Sequence, residues 1–257
     1  FLYSLCVYGG EVPEYQLNSL QAFYDNTNGD NWNWQMNETL YGIPWNFTSI
    51  DSNISNPCVS NWQGIGCSAN CSTSSVCNIT DISLTSFSLA GRLPSQFQEL
   101  KTLKTIDFTS NALSGTVPTM LAQLTQLSVI NLERNSFTGS IPTELVLLSN
   151  SLEVLMLNFN DFTDTPIPSQ LSQLTMLKTL ELGGTCLTGT IPQWLGSLSV
   201  LEELGLYELQ LTGTIPSYIG LMSTLTAAAF SYNFLYGTVP STFAQATNLF
   251  FFSCRSN

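Results

Sequence analysis

The chain predicts an α/β solenoid whose short parallel strands line a concave face, and three observations carry that prediction. From residue 79 onward a phrase recurs about every 24 residues, in which leucines spaced LxxLxL are followed by Asn, an apolar residue and Gly-Thr-Ile-Pro or a close variant. Copies open at Ile79, Leu103, Leu127, Leu152, Leu177, Leu201 and Leu225, and Leu249 opens an eighth that stops early. A unit this short cannot bury its apolar face alone, so stacked copies share one continuous core. Within each copy the apolar residues fall at offsets 0, 3, 5 and 10, as in Leu103, Ile106, Phe108 and Leu113. The step from 3 to 5 is a strand period. Finally, residues 1–78 lack the phrase and hold four of the five tryptophans, Trp32, Trp34, Trp45 and Trp62, as a cover for the open end of the stack would.

In chain order, that cover begins with Leu17, Leu20, Phe23 and Tyr24 at helical spacing, and the Asn-Gly-Asp cluster after them stops the helix. The division is therefore a cap over 1–78 and about seven and a half repeats over 79–257. In each repeat the strand period sends Ile106 and Phe108 inward and Thr105, Asp107 and Thr109 outward. Offset 8 is Asn at Asn111, Asn135, Asn160 and Asn233, whose amide can serve both backbone donors and acceptors where the chain leaves the strand. Thr185 and Leu209 replace it in copies five and six, where a less regular turn is expected. Glycines such as Gly115 and Gly189, each three residues ahead of a Pro, set the bend. Copy four departs from this, with Asp164 in the glycine place and Pro166 as an apparent insertion. Segments such as "TMLAQLTQ" after the Pro suit a short helical or 3₁₀ stretch on the outer side.

The phrase resembles the plant-type leucine-rich repeat, LxxLxLxxNxLxGxIPxxLxxL, over roughly seven copies. "NPCVSNWQGIGC" resembles the paired-cysteine segment of the cap that precedes such repeats. The resemblance implies a right-handed superhelix with a concave strand face and a second short sheet after the Gly-Xaa-Ile-Pro turn. It also implies receptor ectodomains and wall-protein inhibitors as relatives, and binding without catalysis. Those relatives often read a ligand with paired arginines on the strands; here Lys104, Arg134, Lys178 and Arg255 form no such pair, so a ligand read by its terminal carboxylate is not expected.

Seven cysteines, four of them between residues 58 and 77, suggest an oxidising compartment. The shortest loops join Cys58 to Cys67 and Cys71 to Cys77, other pairings staying open, and Cys6, Cys186 and Cys254 are left over. Five sequons, at Asn37, Asn46, Asn53, Asn70 and Asn78, fall among the seven asparagines of residues 37–80, against none of nine afterwards. That clustering predicts a glycosylated cap, bare repeats and a secreted or cell-surface setting. No run approaches the roughly 18 apolar residues that span a bilayer, and "FLYSLCVYGG" has no basic start, so it reads as mature sequence and not as an intact signal peptide. A formal charge of −12, with no Lys or Arg before Arg92, argues against nucleic acid and anionic lipid as partners.

With no histidine in the chain, Ser-His-Asp and Cys-His catalysis are excluded and the commonest transition-metal ligand is missing; no cofactor or metal is expected. Glu181 and Glu203 lie one strand apart on the concave face, about 8 Å between Cα atoms from strand spacings, within the range of an inverting carboxylate pair. An open trough, however, is expected neither to exclude water nor to raise a carboxylate pKa. The face reads instead as a recognition surface. Small or polar outward residues in the first two copies (Ser83, Thr85, Asp107, Thr109) give way to Met156, Phe159, Glu181, Glu203, Tyr207, Glu208 and Tyr232. Rings beside carboxylates suit a protein or peptide with a basic residue, or a stacked glycan. The alternative is a glycosylated structural subunit of a filament, sheath or wall layer. In that reading Phe1 and Tyr3 of one molecule cover Phe250, Phe251 and Phe252 at the open sheet edge of the next.

Overall fold

The computed structural model describes residues 10–47, 56–69, 71 and 76–257. The first helix, α1, spans Glu14–Asn26 and closes where Asn28 turns left-handed at φ 62°. Its buried side carries Gln16, Ser19, Leu20 and Phe23. The Phe23 ring stacks on Phe108 at 5.2 Å and leans on Phe97 at 5.3 Å, so the helix is seated on the core of the first repeats. Gln16 ties the junction: its Nε2–H donates to Asn78 Oδ1 at 3.1 Å and its Oε1 accepts from the Ile79 amide at 2.9 Å. The indoles of Trp32 and Trp45 are buried, and each N–H finds a backbone carbonyl, Thr27 and Gln63 respectively, both at 2.8 Å. A one-turn helix, α2, spans Glu38–Tyr41. Disulfides join Cys58 to Cys67 and Cys71 to Cys77.

Nine strands form the concave sheet. The first, Ile65–Cys67, comes from the Cys58 to Cys67 loop and runs antiparallel to Ile79–Ser83. It covers an edge that the repeats alone would leave bare. The remaining seven, from Thr105–Asp107 to Phe251–Ser253, are parallel and in register, so that Ile106, Ile130, Leu155, Leu180, Leu204 and Ala228 fall in line and are all buried. Each Pro of the Ile-Pro or equivalent pair then opens a 3₁₀ segment on the outer side, as at Pro118 before Thr119–Gln123 and Pro192 before Gln193–Ser197.

The asparagines at offset 8 form a ladder between copies. Asn135 is buried; its Nδ2–H groups donate to Phe108 O at 2.8 Å and Leu132 O at 3.1 Å, and its Oδ1 accepts from the Leu113 amide at 3.0 Å. Asn160 and Asn233 repeat the arrangement. In copy five Thr185 manages one such bond, to Leu182 O at 2.9 Å. The irregular turn expected at copies five and six is nevertheless not found. The residue at offset 7 is left-handed in every copy, with φ 54° at Phe159, 65° at Gly184, 53° at Glu208 and 59° at Tyr232. The turn is held by that conformation and by the neighbouring copies, not by the asparagine alone.

Irregularity appears one copy earlier, on the convex side. The second sheet is split into a four-stranded piece ending at Asp161–Phe162 and a three-stranded piece beginning at Thr188–Thr190, linked by one bridge between Pro166 and Thr188. Proline has no N–H to donate to a ladder, so the pairing stops there. At the other end of the chain Phe251–Ser253 is the outermost strand. Phe252, expected at an open edge, turns inward against Phe243 at 4.7 Å and Phe230 at 6.2 Å, because offset 3 is a core position; Phe250 is 81% and Phe251 50% exposed. Phe1, Tyr3 and Cys6 lie outside the described residues.

Candidate recognition site

The concave side chains change character along the stack. In copy two Asp107 is occupied locally, its Oδ1 accepting from the Thr109 amide at 3.0 Å and hydroxyl at 2.6 Å. From copy three onward the face carries rings and charges. Arg134 lies over the Phe159 ring at 4.3 Å while its Nε–H donates to Glu133 at 3.2 Å. Phe159 in turn approaches Tyr207 at 5.9 Å.

Beyond Phe159, glycines shape the face. A Cβ at Gly183 would stand 2.7 Å from Cε1 and Cζ of Tyr207, so the absence of a side chain lets that ring lie down on the strand. The phenol then reaches back two copies and accepts from Asn158 Nδ2 at 3.3 Å. Glu181 does the same in the other direction, its carboxyl resting over Gly205, which pairs with it across the sheet. Ala229 continues the small-residue floor. The result is a groove of about 620 Å³ lined by Glu181, Tyr207, Glu208, Tyr232, Phe251 and Arg255, together with the small residues Ala229, Ser231 and Ser253. Arg255 sits over the Tyr232 ring at 5.4 Å.

The floor also overturns the expectation that this face leaves a carboxyl at its ordinary pKa. Burial, reinforced by the charges of Glu203 and Glu133, pushes Glu181 up to about 7. Burial likewise raises the Tyr207 phenol, against the Asn158 hydrogen bond that lowers it. Of the expected residues, Glu181, Tyr207, Glu208 and Tyr232 share the groove; Met156 pairs with Glu181 on the adjoining strand, Phe159 flanks Tyr207, and Glu203 is exposed opposite Thr179. Sequence reasoning did not find Asn158, Gly183 or Gly205; it counted Arg255 among the basic residues of the face without a binding role, and it assigned Phe251 to assembly. Glycine at concave offsets 4 and 6 was the available signal.

Elsewhere, the sulfurs of Cys58, Cys71 and Cys77 converge within 4.8 Å, but each belongs to a disulfide and offers no thiolate to a metal. Among the sequon asparagines, Asn37 is exposed and caps α2 through its Oδ1, Asn78 is half-buried with its Oδ1 held by Gln16, and Asn46 is half-buried; Asn53 and Asn70 lie outside the described residues. Cys186 is an exposed free thiol and Cys254 a half-buried one. Among the described residues no helix is long and apolar enough to cross a membrane.

Comparisons with known proteins agree with this fold. The Leucine Rich Repeat family matches residues 126–148 and 176–198, the third and fifth copies. PEPR1 in complex with AtPEP1 is 30% identical with a TM-score of 0.74, over 93% of this chain and 31% of its own. The LRR ectodomain of the Arabidopsis thaliana membrane receptor kinase GASSHO1/SCHENGEN3, in complex with CASPARIAN STRIP INTEGRITY FACTOR 2, is 28% identical with a TM-score of 0.71, over 95% and 27%. The Arabidopsis receptor kinase HAESA, in complex with the peptide hormone IDA and the co-receptor SERK1, is 26% identical with a TM-score of 0.62, over 95% and 46%. This chain thus spans less than half the length of each. No curated protein matches it significantly. The chain belongs to the leucine-rich-repeat family, with repeats of the plant type and a disulfide-bearing N-terminal region.

Proposed function

We propose that this chain is an extracellular, non-enzymatic recognition module that binds an extended peptide or a protein segment along the concave face of copies four to eight. The groove is the observation that carries the reading: two tyrosines, an exposed phenylalanine edge and two carboxylates converge on a floor of glycine and alanine. Rigid rings on a recessed floor supply contact area with little side-chain entropy to lose. Local charge favours a basic ligand, since Glu181 and Glu208 line the groove and Glu133 and Glu203 lie close by. HAESA's peptide hormone supports a peptide as the ligand class, and the disulfides support the setting. In the same reading residues 1–78 serve as the cap and the sugars of the sequons stay away from the groove.

The test uses the full chain and a random 12-residue peptide display library. Peptides selected on it are photo-cross-linked and then titrated calorimetrically. Replacing Tyr207 and Glu208 by alanine weakens binding by about 1–3 kcal/mol, the scale of central contacts. Cross-links confined to the convex side sink the reading.

A further inference from the structure

In the cap, bare apolar surface lies beside a sequon. Residues 36–41 form a lobe whose side chains are all exposed, Leu40 at 67% and Tyr41 at 50%. Both ends of the lobe are held by one fully buried side chain. Gln63 Oε1 accepts from the Gln35 amide at 2.8 Å, and Gln63 Nε2 donates to the carbonyls of Gln35 and Gly42, each at 2.9 Å. With its acceptor and both donors spent in this way, the glutamine fixes the lobe beside the start of the concave face. Lobe and sheet together line a hollow of about 500 Å³, to which the lobe gives Leu40 and Tyr41 and copy one gives Ser83, Thr85 and Phe87. Among the described residues none of its lining side chains carries a charge, unlike those of the groove over copies four to eight. Rings beside hydroxyls and amides suit a pyranose, which has an apolar face to stack and hydroxyls to bond.

A sugar is within reach. Asn37 heads the same lobe, in the sequon Asn37-Glu38-Thr39, and one turn of α2, about 5.4 Å of rise, separates it from Tyr41. Asn37 Oδ1 accepts from the Leu40 amide at 3.2 Å, while its Nδ2 makes no hydrogen bond among the described residues. We propose that Asn37 is N-glycosylated and that the innermost N-acetylglucosamine docks in this hollow, against Leu40 and Tyr41. Attachment transfers an oligosaccharide from a lipid pyrophosphate carrier: Nδ2 bonds to C1 of the sugar as the bond from C1 to the pyrophosphate breaks, and one amide hydrogen leaves as a proton. Oδ1 takes no part, so its bond to the Leu40 amide survives the modification. The tether holds the sugar at about millimolar effective concentration, enough for weak stacking to keep it docked. Docked there, it covers Ser83 and Thr85 and leaves the concave face open to a ligand from copy two onward.

The full chain, secreted from a eukaryotic host that makes high-mannose glycans, is compared with Thr39→Ala, which deletes the sequon and keeps Asn37. Thr39 is exposed and makes no hydrogen bond among the described residues, so the fold is expected to survive. Glycopeptide mass spectrometry reads the occupancy of Asn37. Hydroxyl-radical footprinting reads Leu40 and Tyr41, with the exposed Phe250 of the last copy as the control. At about millimolar effective concentration against a Kd of about 1 mM the sugar is docked about half the time, so labelling of Leu40 and Tyr41 falls about two-fold in the glycosylated chain. Phe250 is labelled equally in both. Trimming the glycan to its first sugar with an endoglycosidase keeps the protection. Asn37 found bare in the secreted chain overturns the site. An occupied Asn37 with labelling equal to that of Thr39→Ala overturns the docking, and so does protection lost on trimming, which assigns it to outer sugars passing over the lobe. Protection in Thr39→Ala that grows with protein concentration puts a second copy in the hollow and overturns the docking too. None of these outcomes bears on peptide binding at copies four to eight.

Discussion

At the scale of single residues, Glu181 makes folding depend on pH in an unusual direction. Its folded pKa, about 7, lies above the ordinary 4.5, so the folded chain binds the proton more tightly than the unfolded chain. The associated stability is fully present below pH 4.5 and is lost as the pH rises through 7. A displacement of that size corresponds to roughly 3 kcal/mol at most, and partial exposure reduces it to about 1–2 kcal/mol. Glu181→Gln is therefore more stable than the wild type by that amount at pH 8 and equal to it at pH 4, as urea unfolding at the two pH values would measure. A difference that did not grow with pH would mean that burial is not what perturbs the carboxyl. The strand period alone made the outward direction of Glu181 readable. Its pKa was not readable, because it follows from glycines on the same and the next copy whose effect on side-chain packing has no counterpart in a linear pattern. Asn158 was missed for a related reason: it stands two residues before Asn160, and only the offset of the latter is a fixed position of the repeat.

At the scale of elements, the repeat phrase contained nearly everything that two neighbouring copies do to each other. Strand, ladder asparagine, glycine turn and 3₁₀ segment each follow from one or two residue types at a fixed offset. Asn135→Ala leaves the Leu113 amide and the Phe108 and Leu132 carbonyls without their side-chain partner. At about 1–3 kcal/mol for each orphaned group, partly relieved by entering water, the expected loss is roughly 2–4 kcal/mol. A loss below about 1 kcal/mol in a urea titration would show that the left-handed residues at offset 7 hold the turn by themselves. Two features escaped the sequence. The antiparallel strand Ile65–Cys67 is three residues long and carries two glycine neighbours and a cysteine, so no period announces it. Pro166 was visible as an insertion, yet the phrase does not say which of the two sheets the insertion interrupts.

At the scale of the whole molecule, the front and the back are built to different standards. Nine strands run unbroken along the concave side, while the convex side is divided behind copy four. Solenoid stability is a sum of contacts between neighbours, so the weakest junction sets where the stack opens first. Amides bordering the division, in Asp161–Phe162 and Thr188–Thr190, should exchange with deuterium faster than those of Ser136–Gly139 and Gln210–Gly213, and mass spectrometry of exchanged peptides measures this directly. Uniform protection along the back would contradict it. The groove begins at Glu181, immediately in front of that division, and extends to copy eight. Seen as a mechanical object, the solenoid is a strip scored on one side, and an occupant laid from Phe159 across to Arg255 is a splint fixed over the score: it stiffens the strip against flexing at the place where the backbone offers least resistance, and it does so without touching the proline that made the cut.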